Sequence, residues 1–239
     1  MRPVLWIGIS LIIAIPVILL CVRSRNVQPL PDRTHVVFIG ASIGQAWNLG
    51  QWSVRVNEPR FAVESLAEWQ FDKTRAVEAV MRRPSMKFEL SRTYLKSIFQ
   101  PPAKPDVVIL KECSAYFPGP IATYQESIRR WTTRLEEQQI RVALATVVPV
   151  TAYRAARDPG KQEGLLAFNR WLREFAQQRG YQLIDLEGAL RDKHSVSYLR
   201  DDLAAPDGSH LTGHAYQILD QVLRDALRGA VTTSKGNLE

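Results

Sequence analysis

A parallel β-sheet with helices on both faces is the fold this sequence predicts. Apolar, β-branched runs recur along the chain, and amphipathic stretches of helical period lie between them. Composition agrees: 239 residues, 46% hydrophobic and 23% charged, suffice for one sizeable buried core and exclude a disordered chain.

Taken in order, the first run covers residues 34–39 and ends in Gly40, and a weaker one covers residues 60–66. Residues 106–110 and 140–148 are strong strand candidates, and residues 181–186 supply the fifth. Helical periodicity is clearest over residues 124–138 and 163–178, and another helical pattern covers residues 215–227. In such sheets the ligand site lies where loops leave the carboxyl ends of the strands.

Residues 1–25 stand apart. Residues 3–22 carry no charge and are almost wholly apolar, with Arg2 before them and Arg23 and Arg25 after. That matches the ~20 residues needed to cross a bilayer. No small-x-small cleavage pattern follows, and Leu20 is bulky where a lipoprotein signal ending at Cys21 would carry a small residue, so the run reads as an uncleaved transmembrane helix. The expected organisation is an anchor over 1–25, a linker over 26–33, a domain over 34–230 and a flexible tail over 231–239. Cys21 and Cys113 are too few for a disulfide framework.

Two short motifs carry chemistry. Gly40-Ala41-Ser42-Ile43-Gly44 follows the first strand, and Asp207-Gly208-Ser209-His210-Leu211-Thr212 precedes the last helical pattern. A serine hydroxyl attacks a carbonyl efficiently only when a histidine takes its proton and a third group orients that histidine. An Asp and a His three residues apart supply both partners from one turn, with Gly208 relaxing the backbone and Thr212 placed to cap the helix that follows. Read singly, the motifs are a tight β-to-α turn, a turn aspartate and a surface histidine. On one sheet rim they read together as a Ser/His/Asp site.

In content and order these residues resemble the SGNH (GDSL-type) hydrolases over residues 34–228. The resemblance implies a flavodoxin-like three-layer α/β/α sandwich on a five-stranded parallel sheet, with Ser42 as nucleophile, His210 as general base and Asp207 as its orienting acid. Ala41 replaces the acid usual in the first block. The second block's glycine has no counterpart in residues 65–72, where Gln70 stands nearest. The third block's asparagine is also missing from Lys111-Glu112-Cys113-Ser114; Cys113 falls nearest, and a thiol is a poor donor. Loss of one oxyanion donor costs ~3–4 kcal/mol of transition-state stabilisation. The sequence therefore predicts slow catalysis or a rebuilt oxyanion hole, with the Ser42 N–H retained and Gln70 or Cys113 contributing. Glu112 would repel an oxyanion if it pointed inward; paired with Lys111 or an arginine it would orient something else.

Other features have plain readings beside sharper ones. His214, one turn after His210, reads as a packed or capping histidine. Seven basic residues between Lys73 and Lys96 read as a solvated face, or as a surface for anionic headgroups or an acidic polymer. Tyr153, Arg154 and Arg157 in one rim loop, and Tyr198 and Arg200 in another, would suit a sugar or an acidic group. Gly40 and Gly44 lack the lysine of a phosphate-binding loop, and no Cys/His cluster has metal-ligand spacing.

The expected activity is that of a single-pass membrane-anchored serine esterase acting on an acyl or acetyl ester of a carbohydrate or lipid. Acyl transfer through the same intermediate, and a non-catalytic anchored binding domain, are the alternatives. No cofactor, metal or nucleic-acid partner is expected. Positive charge usually stays cytoplasmic, and Arg23, Arg25 and Arg33 outnumber Arg2. Hydrolases of envelope polymers generally need the opposite orientation, which places the domain on the periplasmic or extracellular side.

Overall fold

The computed structural model describes residues 33–69, 72–84, 103–192 and 198–235. At its centre lie β1 (Thr34–Gly40), β2 (Phe61–Ala67), β3 (Val107–Lys111), β4 (Arg141–Ala145) and β5 (Gln182–Ile184). Neighbours pair in parallel in the order β2-β1-β3-β4-β5. This is the flavodoxin-like winding, whose switch point falls between β1 and β3.

Burial on both faces explains the uninterrupted apolar runs. Val36 and Phe38 of β1, Val107 and Ile109 of β3, and Ala143 and Ala145 of β4 enter one core. Their alternates Val37, Ile39, Val108, Leu110, Val142 and Leu144 enter the other. The first core is closed by α1 (Ser42–Ala46), α2 (Trp52–Arg55), α7 (Leu186–Leu190) and α8 (Gly213–Lys235). α8 presents Ala215, Leu219, Leu223 and Leu227, spaced by four so that they share one helical face. The second core is closed by α3 (Thr74–Met81), α4 (Ile121–Glu137) and α6 (Lys161–Arg179), and α5 (Ala152–Arg157) follows β4.

One buried carboxylate ties the beginning of the domain to its end. Asp220 of α8 accepts from Trp47 Nε1 at 2.7 Å and from Arg55 Nε and Nη2, each at 2.9 Å. Its carbonyl accepts from Trp52 Nε1 at 3.3 Å. The helix after the first motif is thereby clamped to the helix after the second.

Several boundaries differ from those expected. The strand expected over 140–148 stops at Ala145 because the next segment finds other partners. Asn169 bonds both the N–H and the carbonyl of Val147 at 2.8 Å, Val150 donates to Gln162 Oε1 at 3.3 Å, and Leu199 donates to the Val150 carbonyl at 3.0 Å. The strand expected over 181–186 shortens to Gln182–Ile184 because Asp185 caps α7, accepting from the Gly188 N–H at 3.0 Å. α6 ends at Gly180, whose φ of 68° favours glycine. The last helix runs to Lys235, so the tail expected from residue 231 is helical to that point. The expected transmembrane helix lies outside the described residues, and no described helix is long and apolar enough to cross a membrane.

Candidate active site

The first motif places its serine by close packing. A Cβ on Gly40 would stand 2.6 Å from the Phe38 ring, and one on Gly44 2.9 Å from it. The two glycines let α1 rest directly on β1, which is the physical reason for a spacing that could be mistaken for a phosphate loop. Ser42 begins α1, immediately beyond the strand end, and its N–H belongs to the first turn, where no intrahelical acceptor exists.

The second motif is a closed acid–base turn. Asp207 Oδ1 accepts from the N–H groups of Ser209 and His210 at 3.0 and 2.9 Å, and its Oδ2 meets His210 Nδ1 at 2.5 Å. Partial burial would raise the Asp207 carboxyl, but these two N–H groups and the imidazole outweigh it and hold the pKa at about 2. With Nδ1 engaged, Nε2 is the ring nitrogen left for proton transfer. Thr212 caps the following helix, accepting from the Ala215 N–H at 3.4 Å.

Gly208, at φ 69°, lets this turn close on the start of α5. A Cβ there would lie 2.5 Å from Thr151 Oγ1 and 2.9 Å from Arg154 Cβ, and the Thr151 N–H donates to the Gly208 carbonyl at 3.0 Å.

Ser42, Cys113, Asp207 and His210 line one cavity of about 260 Å³, although the two motifs lie at opposite ends of the domain. Gln70 falls outside the described residues. His214 is exposed and its Nδ1 lies 3.5 Å from Gln217 Oε1, so it forms no part of the cavity lining.

Lys111, Arg154 and Lys161 also line the cavity; the sequence places Arg154 on a rim loop suited to a sugar or an acidic group and gives Lys111 and Lys161 no role in the site. Lys111 continues the β3 alternation that sends Val107 and Ile109 toward α1. It is 3% exposed and donates to the Glu112 carbonyl at 2.8 Å. Burial lowers its pKa to about 8, partly opposed by Cys113 and reinforced by Lys73. A lysine closing a buried strand was the available signal.

Glu112 is buried and does not pair with Lys111 or an arginine, as expected, but with Lys73 Nζ at 2.5 Å. Desolvation raises its carboxyl pKa against the opposing influence of Lys73. Lys73 in turn lies 4.9 Å from the Tyr116 ring centroid. The basic stretch is therefore not a continuous solvated face: Lys73 is fully buried, and Arg83 pairs with Glu64 with only 8% of its side chain exposed. Residues 85–96 of that stretch lie outside the described residues.

No protein-family profile matches the sequence, and no curated protein does. Solved structures do match in fold. A GDSL-like lipase from Bacteroides thetaiotaomicron superposes with a TM-score of 0.59 at 15% identity, over 88% of this chain and 96% of that one. The lipase/acylhydrolase from Enterococcus faecalis gives 0.56 at 16%, over 82% and 96%. The chain has the SGNH hydrolase fold. An acetyl xylan esterase gives 0.57 at 16% identity, over 80% of this chain and 98% of its own. Within this SGNH framework the winding and its switch point agree with the resemblance carried by the two motifs.

Proposed function

We propose that the chain is a serine esterase in which Ser42 attacks the acyl carbon, His210 shuttles the proton and Asp207 orients the imidazole. The observation that carries this reading is the Asp207–His210 contact of 2.5 Å in the cavity that Ser42 also lines. The Ser42 hydroxyl proton passes to His210 Nε2 as Oγ bonds the carbonyl carbon. Collapse of the tetrahedral species returns that proton to the departing alcohol oxygen and leaves acyl-Ser42. Water, deprotonated by the same nitrogen, then releases the acid and frees Ser42.

Negative charge on the tetrahedral oxygen is met by the Ser42 N–H and by the ammonium of Lys111, buried in the wall of the same cavity. Cys113 lines that wall too but offers only a weak donor. Lys111 thus supplies by charge what the missing asparagine would supply by a neutral N–H.

The ester is an acyl or acetyl ester of a carbohydrate or lipid, in keeping with neighbours named as lipases and an acetyl xylan esterase. Acyl transfer to an acceptor hydroxyl uses the same acyl-serine, and product analysis with a sugar acceptor present separates the two. A fluorophosphonate probe tests the reading directly. Labelling of wild type that disappears in Ser42→Ala is expected; a folded wild type that fails to label leaves the binding-domain alternative instead.

Anchoring of the domain through residues 1–25, on the periplasmic or extracellular side, belongs to the same proposal and rests on the uncharged run. Deleting residues 1–25 is expected to move the protein from the membrane to the soluble fraction. Persistence in the membrane pellet would remove this part of the reading.

A further inference from the structure

The cationic groups around the cavity are unevenly compensated. Lys161 Nζ holds Asp158 at 2.7 Å, and Lys73 holds Glu112 at 2.5 Å. These pairs engage the carboxylates nearest to two further cations that line the cavity, Arg154 and Lys111. Arg154 Nη2 lies 3.9 Å from Asp158, beyond hydrogen-bonding distance, and its Nε is buried with no partner among the described residues. Among the described residues, Lys111 Nζ donates once, to the Glu112 carbonyl.

A buried, unsatisfied donor is costly, the more so on a charged group. Arg154 is also held in place, since its Cβ packs where any side chain at Gly208 would stand, beside the Asp207–His210 turn. Its stem is therefore held next to the acid–base pair, while 38% of the side chain stays exposed. The tetrahedral oxygen supplies one transient negative charge, which Lys111 answers. Arg154 lines the same cavity, and a guanidinium matches a planar or tetrahedral oxyanion group.

We infer that Arg154 forms a subsite for an acidic group carried by the substrate next to its scissile ester, so that the enzyme is selective for acylated carboxylates or phosphates over neutral esters. The inference rests on the esterase reading for the identity of the bond cleaved; the anion site itself rests on Arg154 and the cavity.

The test compares 4-acetoxybenzoate and 4-acetoxyphenyl phosphate with the neutral isostere 4-acetoxybenzamide. In wild type the charged-to-neutral ratio of kcat/KM should be at least ~10, the scale of a charge-assisted hydrogen bond. Arg154→Gln should lower that ratio at least tenfold, and Arg154→Lys should restore part of it, since charge returns without the fork. The two charged esters show whether carboxylate or phosphate is preferred. A wild-type ratio near one, or a ratio that Arg154→Gln leaves unchanged, overturns the inference.

Calorimetric titration of Ser42→Ala with 4-hydroxybenzoate and with inorganic phosphate separates this failure from failure of the esterase reading. Binding that is lost in Ser42→Ala/Arg154→Gln, in a protein whose wild type cleaves no ester, keeps the anion site and removes the esterase. Equal binding by the single and double variants removes the anion site whatever the activity. Circular dichroism melts confirm that each variant is folded.

Discussion

The two sides of the cavity are built on different principles. The Asp207–His210 turn is a self-contained hydrogen-bonded unit: one carboxylate gathers two backbone N–H groups and the imidazole within four residues. The end of β3, from Lys111 to Cys113, instead depends on charges brought from elsewhere, with Lys73 of the α3 entrance neutralising Glu112 and Lys111 left in the wall. The first side is local and geometric, the second long-range and electrostatic. Proton transfer needs a fixed contact, whereas stabilising an oxyanion needs only positive potential in a dry place, and several side chains can provide that.

The comparison is most severely tested by removing the local side. Ser42→Ala and His210→Ala should each lower kcat on 4-nitrophenyl acetate by at least ~10⁴-fold, the scale on which loss of a nucleophile or its base acts. A loss under tenfold in either variant would show that hydrolysis proceeds without this pair.

On the electrostatic side, Lys111→Met should cost ~10²-fold in kcat/KM, the scale of one oxyanion donor. Its wild-type pH profile should fall above about 8, where the ammonium loses its proton, and the variant should lack that limb. Stability should move the opposite way. The native pKa lies below that of the unfolded chain, so the unfolded state binds more protons between about 8 and 10.5, and burying the charge is a penalty at neutral pH. Lys111→Met should therefore melt higher at pH 7, with the gain shrinking as pH rises through that window. An unaltered pH profile in the variant would remove Lys111 from the mechanism.

Asp220→Ala probes what holds the two sides together. Leaving Arg55 and Trp47 without their buried acceptor should cost about 3 kcal/mol, on the order of 10²-fold in the folding equilibrium, read by urea denaturation. The smallest effect belongs to Cys113→Ser, where a hydroxyl replaces a weak donor beside an ammonium that already supplies the charge. A rise in kcat/KM of no more than ~3-fold is expected, on the scale of a weak neutral hydrogen bond. A hundredfold rise would show that Cys113, and not Lys111, occupies the oxyanion position.

The sheet was legible in the sequence because its strands are buried on both faces and read as continuous apolar runs, as Val36 to Ile39 and Val107 to Leu110 do. The acid–base turn was legible for a different reason: its partners are three residues apart, so spacing and contact coincide. What spacing could not reveal is any pairing across the fold. Lys73 and Glu112 lie 39 residues apart, so Lys73 reads as part of a basic stretch and Glu112 as a partner for Lys111 or an arginine; Arg154, expected on a rim loop suited to an acidic group, gives no sign in the sequence that its Nε is buried. Strand ends were misread where side chains replaced a neighbouring strand, as Asn169 does at Val147.

The clamp at Asp220 also sets an order of events during synthesis. Trp47 lies 173 residues before the carboxylate that fixes it, and His210 immediately precedes the helix that carries that carboxylate. Base and nucleophile therefore come to share a cavity only once α8 has been made and has docked.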